Sequence, residues 1–181
     1  MTLLGWSEHD LGVPGQVLPV VTASHPVLSA ASERVDAADP KVTQLAADLV
    51  ATMRVSPGCV GLAAPQVGVG WHVFCVDVGG HGKARITHGT FALCNAEVLE
   101  ATRLEKAREG CMSVPDLTGD VKRATRLVVA GELAGSTERV VVETDDFEAR
   151  AIQHEIDHCE GLLFLDRVAG AHAVFRRRVY R

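Results

Sequence analysis

Aromatic residues make up only 4% of this 181-residue chain. Few rings are on hand to stack on bases, the usual anchor for single-stranded nucleic acid. A basic excess is missing too: 18 Lys and Arg stand against 23 Asp and Glu, a formal charge of −5. Proteins that grip phosphate backbones carry the opposite balance, so no specific nucleic-acid partner is expected. No apolar run approaches the roughly 20 residues that a membrane span requires, so no membrane partner is expected either. Met1 to Asp10 holds Glu8 and Asp10 but no Lys or Arg. A secretory signal opens on a basic stretch, so export is not expected. The cysteines (Cys59, Cys75, Cys94, Cys111, Cys159) are odd in number and unevenly spaced. That disfavours a disulfide framework and points to a reducing cytoplasm.

What remains is a composition suited to one packed unit. Hydrophobic residues make up 47%, with no repeat or low-complexity linker, so residues 1–181 read as a single domain. Residues 1–38, punctuated by Pro14-Gly15, Pro19 and Pro26, read as irregular chain, with 1–16 as an N-terminal arm. Asp39 and Pro40 then open a helix. Val42, Leu45, Ala46, Leu49, Val50 and Met53 form its apolar face, and Pro57-Gly58 ends it. Short strand-like runs follow at 71–78, 91–94, 127–130 and 138–142, with a turn at Gly79-Gly80-His81-Gly82. Thr144-Asp145-Asp146 offers capping oxygens for a second helix through about Cys159, and Gly161 is placed to stop it. Helix, strands, helix is an α+β order with mostly antiparallel strands.

The second helix carries His154-Glu155-Ile156-Asp157-His158. Histidines four apart share one helix face, and Glu155 beside the first reaches a water held by the ion they bind. A polar face with two satisfied histidines is the plainer alternative. A catalytic site of this kind needs a third protein ligand. The HExxHxxGxxH solution fails, because Gly161 is present but position 164 is Phe164. Glu160 and Asp166 lie too close to the motif, so the third ligand is expected upstream. Cys111, in Glu109-Gly110-Cys111-Met112-Ser113 before a Ser-Val-Pro turn, offers a thiolate suited to a borderline-soft ion. Taken alone, it reads more readily as a small buried hydrophobe than as a ligand. A third segment, Gly58 to Gly68, is rich in Gly and Ala and lets a ligand approach the backbone. Its Gln66 offers an amide N–H to a developing oxyanion.

Together, Cys59 to Gln66, Glu109 to Ser113 and Gln153 to His158 resemble, in order, the three signatures of the peptide deformylase family. Gly161 to Arg167 and the preceding amphipathic helix also look like that family, so the likeness spans about residues 17–168. It implies mostly antiparallel sheets around a central C-terminal helix carrying HExxH, with the amphipathic helix N-terminal to them. It implies a metal-dependent hydrolase that removes the formyl group from N-formyl-methionyl nascent peptides. By the same resemblance Cys111, His154 and His158 hold the metal, natively Fe(II), with Zn, Ni or Co able to substitute. Glu155 carries the proton, while Gln66 and the Met112 backbone N–H receive the oxyanion. Gly61 pairs with the peptide as an added strand. Val60, Glu109, Met112 and Phe147 fall where the family builds its methionine pocket.

This chain departs from the common pattern in places. Cys59 replaces a glycine, Met112 a leucine, and Cys159 a frequent leucine. Ala96 stands where a proline is common, and Thr118 where some members carry an arginine. His72, His81 and His88 read as surface or turn residues. Residues 169–181 read as a basic tail, with Arg176-Arg177-Arg178 solvated and the ribosome surface as an alternative contact. Two other functions compete: an HExxH endopeptidase, and a closed structural metal site with four protein ligands.

Overall fold

A computed structural model describes residues 8–178. The outermost arm, 1–7, and the last three residues of the tail lie outside the described residues. The elements run α1 (Pro40–Val55), β1 (Gly61–Ala63), β2 (Val73–Val76), β3 (Phe91–Cys111), β4 (Val114–Leu133), β5 (Arg139–Asp145), α2 (Asp146–Cys159) and β6 (Val174–Arg176). The six strands form a sheet in the order β1-β2-β3-β4-β5, with β6 on β4, and every pairing between them is antiparallel. The α+β class and the antiparallel sheet are therefore as the element order implied.

β2 shows how the layers form. All four of its residues are buried. Val73 and Cys75 pack with α1 residues such as Leu49 and Met53. Phe74 and Val76 pack with Ile152 and Ile156 of α2. Side chains alternate across a strand, so a continuous apolar run of this kind belongs between two covered faces. The expected apolar face of α1 is the buried one, and the Asp39 carboxylate accepts from the Lys41 N–H at 2.8 Å.

The long β3–β4 hairpin was not legible as such. Phe91–Cys94 and Leu127–Ala130 are only its inner ends. From Glu97 to Lys106 both faces of β3 are exposed, which erases the alternation that marks a half-buried strand. The turn at its tip is Met112-Ser113, and Val114-Pro115 already belongs to β4. The Ser-Val-Pro turn is thus corrected by one step along the chain.

The start of α2 also differs from expectation. Asp145 makes no side-chain cap, because β5 pairs through Asp145 and runs straight into the helix. The Thr144 hydroxyl instead donates to the buried Glu148 carboxylate at 2.7 Å. His88 supplies that carboxylate with its backbone N–H at 2.8 Å and lies 2.6 Å away through Nδ1, so His88 anchors its loop rather than facing solvent.

The N-terminal segment is irregular but strapped down. Val21 N–H donates to Gln66 C=O, Ala23 N–H to Ser113 C=O and Ser32 N–H to Cys159 C=O, each at 2.8 Å. Gly161 ends α2 with a φ of +76°, and a Cβ there would sit 2.8 Å from the backbone carbon of Ala30. Gly161→Ala should lower stability by at least about 1–2 kcal/mol, the usual cost of a left-handed L-residue. Urea unfolding monitored by circular dichroism measures it.

Candidate metal centre

Two rigid elements meet at the site. Residues His154 and His158 stand one turn apart on α2, and Cys111 closes β3 at the hairpin tip. One ligand atom from each of the three lies within 4.8 Å of the others. Cys111 Sγ is 3.2 Å from His158 Nε2. Among the described residues this cluster has three members, not the four of a closed structural site.

The donor chemistry fits a divalent cation. His154 turns Nδ1 to the Glu109 carboxylate at 3.1 Å, which leaves Nε2 for a metal; a carboxylate behind a ligating imidazole fixes its ring and raises its basicity. Burial disfavours charge on His154, but bonds to Cys111 and Glu109 and the nearby Glu155 charge outweigh it, taking its pKa up to about 10. His158 is driven the other way, by burial first and then by the positive charges of His154 and Arg123. It stays neutral, with a lone pair to give. A cation entering the cluster competes with the His154 proton and releases it.

Glu155 sits beside the cluster, 3% exposed, and its Oε2 has no hydrogen-bond partner. Burial foremost lifts its pKa to about 7, with the positive charges of His154 and Arg123 opposing and the negative charges of Glu109 and Asp157 adding. An orphaned buried carboxylate oxygen needs a donor, and a solvent molecule on a cation held by the cluster would answer that need. Gly61 makes the approach possible: a Cβ there would fall 2.6 Å from Glu155 Oε1. Gln66, 2% exposed, accepts from the Ala63 N–H through Oε1 at 3.0 Å. Its amide nitrogen therefore faces the metal side, 3.3 Å from Cys111 Sγ.

A cavity of about 610 Å³ opens over the cluster. Val60, Gly61, Glu109, Met112 and Phe147 all line it, as do Gln66, Cys111, His154 and Glu155. His158 lies beneath, fully buried. The Glu109 carboxylate is not free, since it also takes two bonds from Arg123, at 2.8 and 3.0 Å. Burial alone would raise its pKa, but the bonds from His154 and Arg123 hold it at about 2.

Several working residues escaped the sequence. Arg123 of β4 joins Glu109 to Asp157 of α2, with Arg167 closing the far side of Asp157 at 2.7 Å. A lone arginine in a polar strand carries no signal; Asp157, inside the motif, was the clue. His81 stacks on Phe147 with ring centroids 4.2 Å apart, so it is a cavity wall and not only a turn residue. Cys59 is a protonated thiol that donates to Gly61 C=O at 3.1 Å, its pKa pushed up to about 12 chiefly by burial. Arg176, Arg177 and Arg178 are exposed, as expected of a solvated run, but Val174–Arg176 is β6 and Arg177 also lines the cavity.

A family model described as Polypeptide deformylase matches residues 17–173. The chain belongs to the peptide deformylase family. Peptide deformylase of Halothermothrix orenii is 41% identical over 152 residues, 84% of this chain and 94% of that protein. The crystal structure of peptide deformylase from Thermotoga maritima gives a TM-score of 0.76 at 33% identity, covering 86% of this chain and 99% of that one. A Met-Ala-Ser-bound class I type b peptide deformylase from Acinetobacter baumannii gives 0.76 at 32% identity, over 83% of this chain and 99% of that chain.

Glu109→Ala removes the carboxylate behind His154 while Asp157 still holds Arg123. The variant should fold and bind metal about 10–100-fold more weakly, the usual effect of losing such a partner. Competition with a chromogenic chelator reads it.

Proposed function

We propose that this protein removes the formyl group from N-formyl-methionyl peptides and releases formate, using one divalent cation held by Cys111, His154 and His158. One observation carries the reading: a thiol and two imidazoles converge beside an unpartnered, buried Glu155 oxygen at the floor of a cavity. A bound cation supplies acidified water as nucleophile and polarises the formyl carbonyl. All else falls to the chain.

Glu155 accepts a proton from the attacking solvent and returns it to the leaving amine. A carboxyl poised near neutrality suits both transfers. The Met112 N–H and the Gln66 amide meet the oxyanion; donors already fixed in place need no reorganisation as charge develops. Gln66 is held for this by its bond from Ala63. The edge of β1 at Gly61 faces the cavity, where the peptide adds as a strand and is read by its backbone. Val60, Met112, Phe147 and Glu109 surround the methionine side chain, Glu109 as a group already bonded on its far side. A formyl carbon bears only hydrogen, so a site crowded by Gln66 and the hairpin turn admits it and rejects internal peptide bonds. That favours deformylation over endopeptidase action.

The native ion in this reading is Fe(II), with Zn, Ni or Co able to take its place. The residues act as a single catalytic domain, with α2 as the central carrier of HExxH and α1 as the amphipathic helix on the opposite face. Five free cysteines suit the reducing cytoplasm, where formylated nascent chains arise, and the ribosome surface is the neighbouring contact. No helix among the described residues is long and apolar enough to cross a membrane.

Glu155→Ala should keep its metal and lose about 10²–10⁴ in the rate of formate release, the usual contribution of a general acid–base group. Loss of metal with the rate, or an unchanged rate, defeats the assignment. Iron-loaded protein should lose activity in air faster than nickel-loaded protein, because Fe(II) and its thiolate ligand both oxidise. Formate release against time in air, for the two forms side by side, checks it.

A further inference from the structure

We propose that Arg177, from the C-terminal segment, is a positioning residue for the oxyanion site: its guanidinium orients and polarises the peptide unit that carries the Met112 N–H. The inference rests on the deformylase reading of Met112 given above.

Arg177 Nη2 donates to the Cys111 carbonyl at 2.9 Å. That carbonyl and the Met112 N–H belong to one peptide unit. The unit is planar and trans, so its C=O and N–H point in opposite directions. A donor that fixes the carbonyl toward the C-terminal segment therefore fixes the N–H away from it. A charged donor on the oxygen also strengthens the N–H as a donor, since hydrogen bonds in series polarise one another. Two residues on, Ser113 C=O is held separately by the Ala23 N–H. The two carbonyls flanking this tight turn are thus tied from opposite ends of the chain.

The guanidinium is placed by more than one contact. β6 pairs with β4 at Leu117–Gly119, and the Arg177 N–H donates to Asp116 C=O at 2.8 Å. Arg108, bonded to Asp120 at 2.6 Å, lies 3.6 Å over the ring of Phe175 and presses β6 onto the hairpin. Gly110 leaves the room: a Cβ there would sit 2.7 Å from Arg177 Nη2.

The test compares the full-length chain with Arg177→Ala, Arg177→Lys and Gly110→Ala. Two readouts are taken: steady-state formate release with metal content, and the Met112 amide resonance of 15N-methionine-labelled protein without substrate. Losing a whole oxyanion donor costs about 10²–10³ in kcat. A donor merely misaligned should cost less, so Arg177→Ala should lower kcat about tenfold with KM within about twofold and metal content unchanged. Arg177→Lys, which keeps one donor, should recover part of the loss. The Met112 amide proton should move upfield in Arg177→Ala and Gly110→Ala and stand between in Arg177→Lys. An unmoved amide, an unchanged kcat, or a loss that follows metal content overturns the proposal. Failure of the unaltered protein to release formate would sink the deformylase reading instead, and the amide resonance would still decide the role of Arg177.

Discussion

Arg123 is the joint on which the site depends. It is buried, and it binds a carboxylate on the hairpin, Glu109, and one on the helix, Asp157. Cys111 belongs to the first element and the histidines of the cluster to the second, with Cys111 and His158 47 positions apart along the chain. Three charges taken out of water are tolerated only when each is fully bonded, and here the two acids share their cation while Arg167 and His154 take further bonds. Losing one carboxylate leaves Arg123 bonded to the other but unties hairpin from helix. A metal centre split between two elements benefits from that rigidity.

The N-terminal segment serves the same end from the outside. Its described residues form no strand or long helix, yet their backbone binds the Gln66 turn, the Met112-Ser113 turn and the C-terminus of α2 in succession. Those are the ends of the three sequence signatures. A segment that looked like connecting chain behaves as a belt around the parts that must stay in register.

The legible parts were those with local grammar. α1 could be read from Asp39-Pro40 and its apolar period, and α2 from its motif and Gly161. The three signatures held every member of the Cys111, His154 and His158 cluster and the Glu155 beside it. The outer hairpin was hidden because solvent on both faces removes the two-residue alternation. Arg123, His81 and Arg177 were hidden for a different reason. Each works through a partner far along the chain, and no spacing rule connects an arginine at 177 to a carbonyl at 111. The Thr144–Asp146 caps failed because the strand flows directly into the helix, leaving no free turn for a side chain to close.

The exposed stretch of β3 has one more consequence. Among the described residues, from Glu97 onward it pairs as a strand only with β4, so its other margin is a bare sheet edge. Bare margins of this kind invite two copies of a protein to zip together. Here the margin is studded with Glu97, Glu100, Arg103, Glu105, Lys106 and Arg108, and irregularities at Cys94/Glu97 and Val98/Glu100 break its regular pairing. Charge and kinks work against such zipping, so the outer ribbon is suited to standing in solvent with one edge bare.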